Sequence, residues 1–215
     1  MALIPYNKYK ILHITFESRN EIRPYFINNK VNPNFFNLIK KSNIKIDYKP
    51  IGLWFSCGTS WFNWCMAEMP DWVTKKKVYN IILDETKILH INSLKKLLEF
   101  NKKYSIKKSF TGMSNNIDTG KREKTTDIYT LINWGKVSSE YSGIKFCPYL
   151  EQKLRTKDKN YIDNFTWYIM LDAATGCIWN QDALKTIEYG GYLPEYNMNL
   201  HKIKHKLEDI LNKFI

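Results

Sequence analysis

The sequence lacks the short motifs by which several common enzyme classes are identified. It contains no GxGxxG, GxxxxGKS/T, HExxH or GxSxG pattern and no CxxC pair. Their absence argues against a Rossmann dinucleotide site, a P-loop NTPase, a zinc protease and an α/β-hydrolase, because each chemistry needs its residues at that spacing. With only four histidines in 215 residues, a His-rich metal site is not expected either, and we expect no metal.

Long apolar runs and a signal peptide are missing as well. No stretch approaches the roughly 18 consecutive apolar residues of a membrane-spanning helix. The first five residues, MALIP, lack the charged flank and the apolar core of a secretory signal. We therefore expect a cytoplasmic protein with no membrane association, whose cysteines are buried free thiols rather than disulfides. These cysteines are Cys57, Cys65, Cys147 and Cys177.

Arginine is scarce although the chain is basic. The sequence has 33 Lys and Arg against 21 Asp and Glu, a net charge of +12, yet only four of the basic residues are arginine. Proteins that read nucleic-acid sequence rely on arginine for bidentate contacts. In addition, Lys, Asn and Ile are all abundant, which is the amino-acid usage expected of an AT-rich genome. The charge therefore permits a phosphate-bearing ligand without demonstrating one.

Aromatic residues, in contrast, make up 15% of the chain, and the hydrophobic fraction is 44%. This composition predicts one folded domain over residues 1–215. Strands are predicted at residues 9–15, 44–48, 52–56, 78–84, 87–91, 141–149, 165–171 and 175–179. Helices are predicted at residues 20–28, 35–41, 60–68, 93–104 and 201–214, with a further helix entered at 128–137. Residues 105–127 are polar without apolar periodicity, which predicts a mobile loop, and the irregular order of elements predicts an α+β fold.

His13 is the first candidate functional residue. It lies within an apolar predicted strand, and Thr15 points to the same face because every second strand residue does so. A neutral imidazole and a hydroxyl presented together can exchange hydrogen bonds with a ligand hydroxyl. The alternative is a core histidine whose hydrogen bonds are satisfied internally.

The segment KPIGLWFS at residues 49–56 is the second candidate. Proline fixes the direction of approach, Gly52 lets a backbone or a ligand come close, and Trp54 and Ser56 alternate onto one face. Trp61 and Trp64 follow on the next predicted helix. Such an aromatic cluster forms either ordinary core or a stacking wall for a planar heterocycle, with a serine hydroxyl beside it.

A strand histidine followed roughly forty residues later by glycine, two aromatics and serine resembles the ADP-ribosyltransferase superfamily, in the His-Tyr-Glu branch that includes the poly(ADP-ribose) polymerases. His13 and Thr15 match the first element of that family. Residues 52–56 match its G-x-Y-F-A/S segment, with Trp54 in the tyrosine position. Glu140, within Ser-Glu-Tyr at 139–141, resembles the Asn-Glu-Tyr that carries the family's catalytic acid, and Asp172 is the competing acid.

The resemblance implies a split, mainly antiparallel β-sandwich with flanking helices, which transfers ADP-ribose from NAD+ to a nucleic-acid or protein acceptor. It implies these catalytic residues: Glu140, His13 and Asp172. It implies these NAD+-binding residues: His13, Thr15, Arg19, Gly52, Leu53, Trp54 and Ser56. Cleavage of the nicotinamide–ribose bond develops positive charge on the ribose, which a nearby carboxylate stabilises. The alternative function is a basic, aromatic-lined module that binds nucleic acid or a nucleotide without catalysis.

Overall fold

The computed structural model describes residues 13–18, 26–27, 30–32, 34–37, 46–115, 120–194 and 200–214. Arg19 lies outside these ranges, and so does most of the helix predicted for residues 20–28, of which only a short strand at Phe26–Ile27 is described. No helix in these ranges is both long and apolar enough to cross a membrane.

Twelve strands are described, and seven of them form one sheet. The strands are β1 (His13–Ser18), β2 (Phe26–Ile27), β3 (Lys30–Val31), β4 (Ile46–Asp47), β5 (Leu53–Cys57), β6 (Lys76–Leu83), β7 (Ile88–Ile91), β8 (Ser105–Asn115), β9 (Arg122–Asn133), β10 (Gly143–Phe146), β11 (Thr175–Ile178) and β12 (Leu184–Tyr192). The main sheet has the order β12-β6-β1-β5-β11-β10-β7, and only its β7–β10 pair is parallel. Two smaller sheets have the orders β4-β9-β8 and β2-β3.

Helices are interspersed among these strands, which confirms the predicted α+β class. They are α1 (residues 34–37), α2 (Ser60–Glu68), α3 (Leu94–Tyr104), α4 (Trp134–Glu140), α5 (Glu151–Lys157), α6 (Tyr161–Asn164), α7 (Thr166–Ile169) and α8 (Leu200–Leu211). Short 3₁₀ helices lie at Pro70–Trp72, Glu85–Lys87, Gln181–Ala183 and Asn212–Phe214. The predicted helices at 60–68, 93–104 and 201–214 are confirmed.

Helices α2 and α8 pack against the β1–β6 part of the main sheet. Ile14 of β1 and Val78 of β6 are fully buried there beside Phe62 of α2 and Leu207 of α8. A second, larger buried cluster includes Phe55, which shares the face of His13 on the other side of the sheet. The apolar cluster on the α2 side fixes the position of α2 relative to β1.

The prediction of a mobile loop at 105–127 is wrong for the described residues of that stretch. Strands β8 and β9 pair in continuous antiparallel register from Ser105↔Ile132 to Asn115↔Arg122. Thr111 and Thr126 face each other across the pair, with their hydroxyl oxygens 3.1 Å apart. Cross-strand pairs of this kind stabilise a hairpin without apolar alternation, so hydrophobic periodicity could not reveal it. Residues 128–133 continue β9, and the predicted helix begins only at Trp134.

The strand predicted for residues 165–171 is also wrong, because residues 166–169 form helix α7. Trp167 and Tyr168 are adjacent and both fully buried. Neighbouring residues of a strand point to opposite faces, whereas a helical turn can direct both into one core. The Trp167 ring nitrogen donates to Asn101 Oδ1 at 2.7 Å, and the Tyr168 hydroxyl accepts from the backbone N–H of Leu150 at 2.8 Å.

We expect Gly176→Ala to destabilise the protein by about 1–3 kcal/mol, because overpacking of a filled core costs that much. A Cβ at Gly176 would meet the Phe55 ring and lie 2.7 Å from the Ile144 carbonyl oxygen. Gly112→Ala is the matched control, since a Cβ there meets nothing within 4 Å. Urea denaturation of both variants measures the difference, and equal unfolding free energies would show that β5, β10 and β11 are not packed as described.

Candidate functional site

A cavity of about 300 Å³ lies between strands β1 and β5 and helix α2. Four tryptophans, a serine, a lysine and one carboxylate are among the side chains that line it. We call it the tryptophan cavity, and its named residues are Trp54, Trp61, Trp64, Trp72, Ser56, Lys49 and Asp172. Its volume is at the lower end of ligand pockets, enough for a ring system with part of a sugar.

The pleat of β5 and its neighbours determines which side chains face the cavity. Trp54 and Ser56 both line it, which confirms that these two residues share one face. Ser56 pairs with Ile14 of β1 on one side and with Thr175 of β11 on the other, and both of these residues line the cavity too. Directly paired residues of adjacent strands present their side chains to the same face, so the floor of the cavity spans three strands.

Helix α2 supplies one aromatic wall of the cavity. Trp61 and Trp64 are three residues apart, a spacing that places both on one side of a helix. The Trp61 ring packs 5.2 Å from the Phe16 ring, centroid to centroid. Trp72, on the 3₁₀ helix that starts at Pro70, lies 6.4 Å from the Trp64 ring and is 49% exposed. Trp72 therefore stands at the open side of the cavity.

The hydroxyl of Ser56 is held in a defined orientation. It accepts a hydrogen bond from the backbone N–H of Trp61 at 3.0 Å. The Ser60 hydroxyl donates its single hydrogen to the Ala174 carbonyl, so in the 3.1 Å contact between the two serines Ser56 is the donor. One lone pair of the Ser56 oxygen is left for a ligand. Ser60 is the first residue of α2, and Thr59 is its N-cap residue.

Asp172 brings the carboxylate to the cavity from the turn between α7 and β11. Its φ of 64° is in the left-handed region, which few residues other than glycine adopt, and such backbone conformations cluster at functional sites. Burial raises the pKa of Asp172, the nearby Lys49 lowers it, and Glu151 raises it. Asp172 is exposed, so it attracts a positively charged ligand as a largely solvated carboxylate does, with modest strength.

Cys65, also on α2, is not a nucleophile for this cavity. Its side chain is fully buried, and burial, followed by the charge of Asp172, raises the pKa of its thiol to about 12. A thiol with that pKa stays protonated at neutral pH, and the thiolate is the reactive form.

His13 and Thr15 are not brought to the tryptophan cavity. In β1 their neighbours Ile14 and Phe16 face it, and strand alternation turns His13 and Thr15 to the opposite face of the sheet. The Thr15 hydroxyl is buried and donates to the Trp54 carbonyl oxygen at 2.8 Å. The prediction that these two residues share a face is confirmed, but that face is not the one that carries Trp54.

On its own face His13 packs edge-on against Phe55, with the ring centroids 5.0 Å apart. Burial is the largest of the effects that lower the pKa of His13 to about 4, followed by the charge of Lys145. Lys145 is itself nearly buried and lies 2.7 Å from Glu85 Oε1, while His90 Nε2 lies 2.9 Å from the Cys147 carbonyl oxygen. His13 is therefore neutral near pH 7, and it is half-buried against the core residue Phe55.

Glu140 lies at the C-terminal end of α4 and does not line the cavity. Its Oε2 is 2.6 Å from Lys103 Nζ and accepts from the Tyr104 hydroxyl at 2.8 Å. The hydrogen bonds from Lys103 and Tyr104 lower the pKa of Glu140. Of the two acids considered from the sequence, the structure thus brings Asp172, and not Glu140, to Trp54 and Ser56.

Gly52 and Leu53 contribute to core packing at the start of β5. A Cβ at Gly52 would overlap the Ile178 carbonyl and the Cys177 sulfur, so the close approach that the glycine permits is that of the neighbouring strand β11. Leu53 is fully buried in the larger core cluster. Neither residue lines the tryptophan cavity.

The expectation of four free thiols is wrong for two of the cysteines. Cys57 and Cys147 form a disulfide with 6.2 Å between their Cα atoms, and they are 90 residues apart in the sequence. Cys65 and Cys177 are free and buried. No cysteine spacing in the sequence identifies this pair, because β5 and the end of β10 are brought close only by the order of the strands in the main sheet.

Trp72 and Thr175 are among the cavity residues that were not identified from the sequence. Trp72 follows a proline that ends α2, and an aromatic residue in a turn next to an aromatic helix is the only local signal. Thr175 hydrogen bonds to the Phe55 carbonyl oxygen at 2.7 Å, and nothing in the sequence near it points to a site.

The part of the chain that the structure describes contains no group of three or more His, Cys, Asp and Glu side chains that could hold a metal ion. Comparison with protein-family models gives no match, and searches against curated proteins and against solved structures give none either. Function is therefore inferred from the geometry of the cavity.

Proposed function

We propose that this chain is an NAD+-dependent ADP-ribosyltransferase that holds the nicotinamide ring of NAD+ in the tryptophan cavity. The observation that carries the proposal is the meeting of Trp54, Ser56 and Asp172 in one cavity, although more than a hundred residues separate Asp172 from the other two. In this proposal the main sheet and the β4-β9-β8 sheet correspond to the two halves of a split β-sandwich.

The positive charge of the nicotinamide ring supports NAD+ as the ligand. Indole faces attract cations through their π electrons, and a carboxylate adds direct Coulomb attraction. The cavity offers four indole rings and the side chain of Asp172. A neutral planar ring would gain the stacking contacts alone, so this combination favours a pyridinium over a neutral heterocycle.

Asp172 has the central chemical role in the proposed reaction. The bond between C1′ of the ribose and N1 of nicotinamide breaks, and its electron pair leaves with the ring, which becomes neutral nicotinamide. Asp172 stabilises the positive charge that develops on the ribose. A nucleophilic oxygen or nitrogen of the acceptor then forms a bond to C1′, and its proton passes to the Asp172 carboxylate.

Ser56 and Lys49 have positioning roles. The free lone pair of the Ser56 hydroxyl accepts a hydrogen bond from the carboxamide or from a ribose hydroxyl of the ligand. Lys49 is exposed at the cavity and supplies a positive charge for the pyrophosphate. The acceptor is a macromolecule, nucleic acid or protein.

We expect NAD+ to raise the thermal midpoint of the Asp172→Asn variant, which binds without turnover, and to do so more than NADH does. Saturation at 100 times the Kd adds about 2.7 kcal/mol to the unfolding free energy. NADH has lost the ring charge, so its Kd should be about two- to thirty-fold higher, the range of a cation–π contact. Thermal denaturation across a titration of each dinucleotide measures this.

AMP is the control ligand, because it contains the phosphate and the adenosine but no nicotinamide, and it should give a much smaller shift. Equal shifts for NAD+, NADH and AMP would assign recognition to the adenosine half, and the tryptophan cavity would then not be the nicotinamide site.

A further inference from the structure

One face of the β8–β9 hairpin carries aromatic rings that the proposed reaction does not use. Tyr129 of β9 contacts Phe110 of β8, with 5.6 Å between the ring centroids, and Tyr48, just after β4, with 6.1 Å. Both contacts are edge-to-face. We call the row formed by Tyr48, Tyr129 and Phe110 the aromatic strip.

The pairing register places the strip on a single face. Lys108 is opposite Tyr129, and Phe110 is opposite Asp127, so all four of these side chains share one side of the hairpin. Phe110 is 48% exposed, and the residues from Lys107 to Met113 are all exposed. Tyr129 and Tyr48 are half-buried, and Tyr48 also packs against the main core cluster. The row is therefore only partly covered by the protein, whereas a row of three aromatics in a sheet is ordinarily buried.

The hairpin that carries the strip is net positive. Strands β8 and β9 contain four basic residues against two acidic ones: Lys107, Lys108, Arg122 and Lys124 against Glu123 and Asp127. Of the four basic residues, Lys108 shares the face of the strip, and the other three lie on the opposite face. Two further lysines, Lys102 and Lys103, end the preceding helix α3. The Asp127 carboxylate accepts a hydrogen bond from the Tyr129 hydroxyl at 3.5 Å. An aromatic row on a net positive hairpin matches a ligand with flat rings and negative charges.

We propose that the aromatic strip binds single-stranded nucleic acid, with bases stacked on Tyr48, Tyr129 and Phe110 and the phosphates near Lys108 and its neighbours. Bases that are free of a duplex can stack on exposed aromatic side chains, whereas paired bases are covered by their neighbours. The scarcity of arginine in the chain predicts little sequence preference, because bidentate base contacts depend on it.

The strip begins next to the tryptophan cavity. Tyr48 is its first ring, and the following residue, Lys49, lines the cavity. In this proposal a strand bound along the strip continues from Tyr48 to Lys49 and the cavity, and single-stranded nucleic acid becomes the acceptor class. The acceptor role rests on the proposed transferase activity. In that reaction a nucleophilic nitrogen or oxygen of the strand forms a bond to C1′ of the ribose and nicotinamide leaves. The proton of the nucleophile passes to Asp172.

The test measures fluorescence anisotropy of fluorescein-labelled 20-mers of deoxythymidine and uridine, without NAD+. We expect Phe110→Ala and Tyr129→Ala each to raise the Kd about tenfold, as loss of one stacking platform does. Ile128→Ala is the matched control and should leave the Kd unchanged, since Ile128 is 59% exposed on the opposite face of the same hairpin. Circular dichroism checks that all variants are folded.

Two charge variants test where the phosphates lie. Lys108→Gln should reduce the slope of log Kd against log salt by about 0.7, the value of one phosphate contact on a single strand. Asp127→Asn should tighten binding, because it removes a negative charge beside the strip. A Kd that Phe110→Ala and Tyr129→Ala leave unchanged, or tighter binding of a 20-bp duplex, would overturn the proposal.

Two further measurements separate the other outcomes. If the wild type sediments as a dimer that Phe110→Ala makes monomeric, and no oligonucleotide binds, the strip is a contact between copies and the proposal is wrong.

Nicotinamide release from NAD+ with and without the 20-mer tests the acceptor role. Faster release with the 20-mer in the wild type but not in Phe110→Ala supports that role. Oligonucleotide binding without any release refutes the transferase and leaves the binding site standing.

Discussion

Asp172→Asn is expected to lower the rate of nicotinamide release from NAD+ by at least about 100-fold, because a positioned acid–base group contributes on the order of 10²–10⁴ to a rate. The substitution keeps the shape of the side chain and removes the charge that stabilises the developing ribose cation. Binding of NAD+ should weaken only modestly, since the four indole rings remain. Release is measured by chromatography of the reaction mixture at saturating NAD+, and binding by thermal denaturation.

Glu140→Gln is the matched control, and it also decides between the two acids. Glu140 is bound to Lys103 and Tyr104 away from the cavity, so its amide variant should release nicotinamide at the wild-type rate. The reverse result would be a large loss of nicotinamide release in Glu140→Gln and none in Asp172→Asn. It would show that the reaction does not take place in the tryptophan cavity.

Acidification from about pH 7 to about pH 5 is expected to cost the wild-type protein about 2 kcal/mol of unfolding free energy through His13 alone, rising to about 3 kcal/mol by pH 4. The pKa of His13 is about 4 in the folded protein against 6.5 for the ordinary side chain. The unfolded chain therefore binds more protons between these two values, and stability falls as the pH falls through that window. Urea denaturation at several pH values measures the slope.

His13→Leu should remove this part of the acid sensitivity, because it takes away the group that titrates on unfolding. His90→Leu is the control from the same face. Its effect should be smaller because burial lowers the pKa of His90 while the hydrogen bond with the Cys147 carbonyl raises it. Lys145 and Glu85, which face His13, are unchanged in both variants. If wild type and His13→Leu lose stability in parallel between pH 7 and pH 5, then His13 is not buried as a neutral group.

Elements with strong apolar periodicity could be predicted from the sequence. Helices α3 and α8 were found because their apolar residues recur on one face. The Ser93 side chain caps α3 by accepting a hydrogen bond from the Lys96 N–H. The β8–β9 hairpin was missed because its exposed residues do not alternate, and its register is set by pairing along the whole length. Local sequence patterns therefore identified the helices that bury an apolar stripe and missed the strands that pair with each other while exposed to solvent.

Only those parts of the candidate site that follow from side-chain alternation within a single strand could be predicted from the sequence. That Trp54 and Ser56 share a face follows from the pleat, and the cavity contains both. That His13 faces away depends on the register His13↔Cys57 between two distant strands, and a shift of one residue would have reversed it. The arrival of Asp172 at the same cavity depends on β11 lying beside β5, which the sequence did not reveal.

Release of free nicotinamide is the measurement that tests the central claim most directly. The wild-type protein, incubated with millimolar NAD+ and a single-stranded 20-mer as acceptor, is sampled over time and the nicotinamide is quantified by chromatography. A tryptophan cavity that holds and cleaves NAD+ predicts steady release that Asp172→Asn slows by at least about 100-fold. No release above the protein-free blank, with or without the 20-mer, would contradict the proposed function.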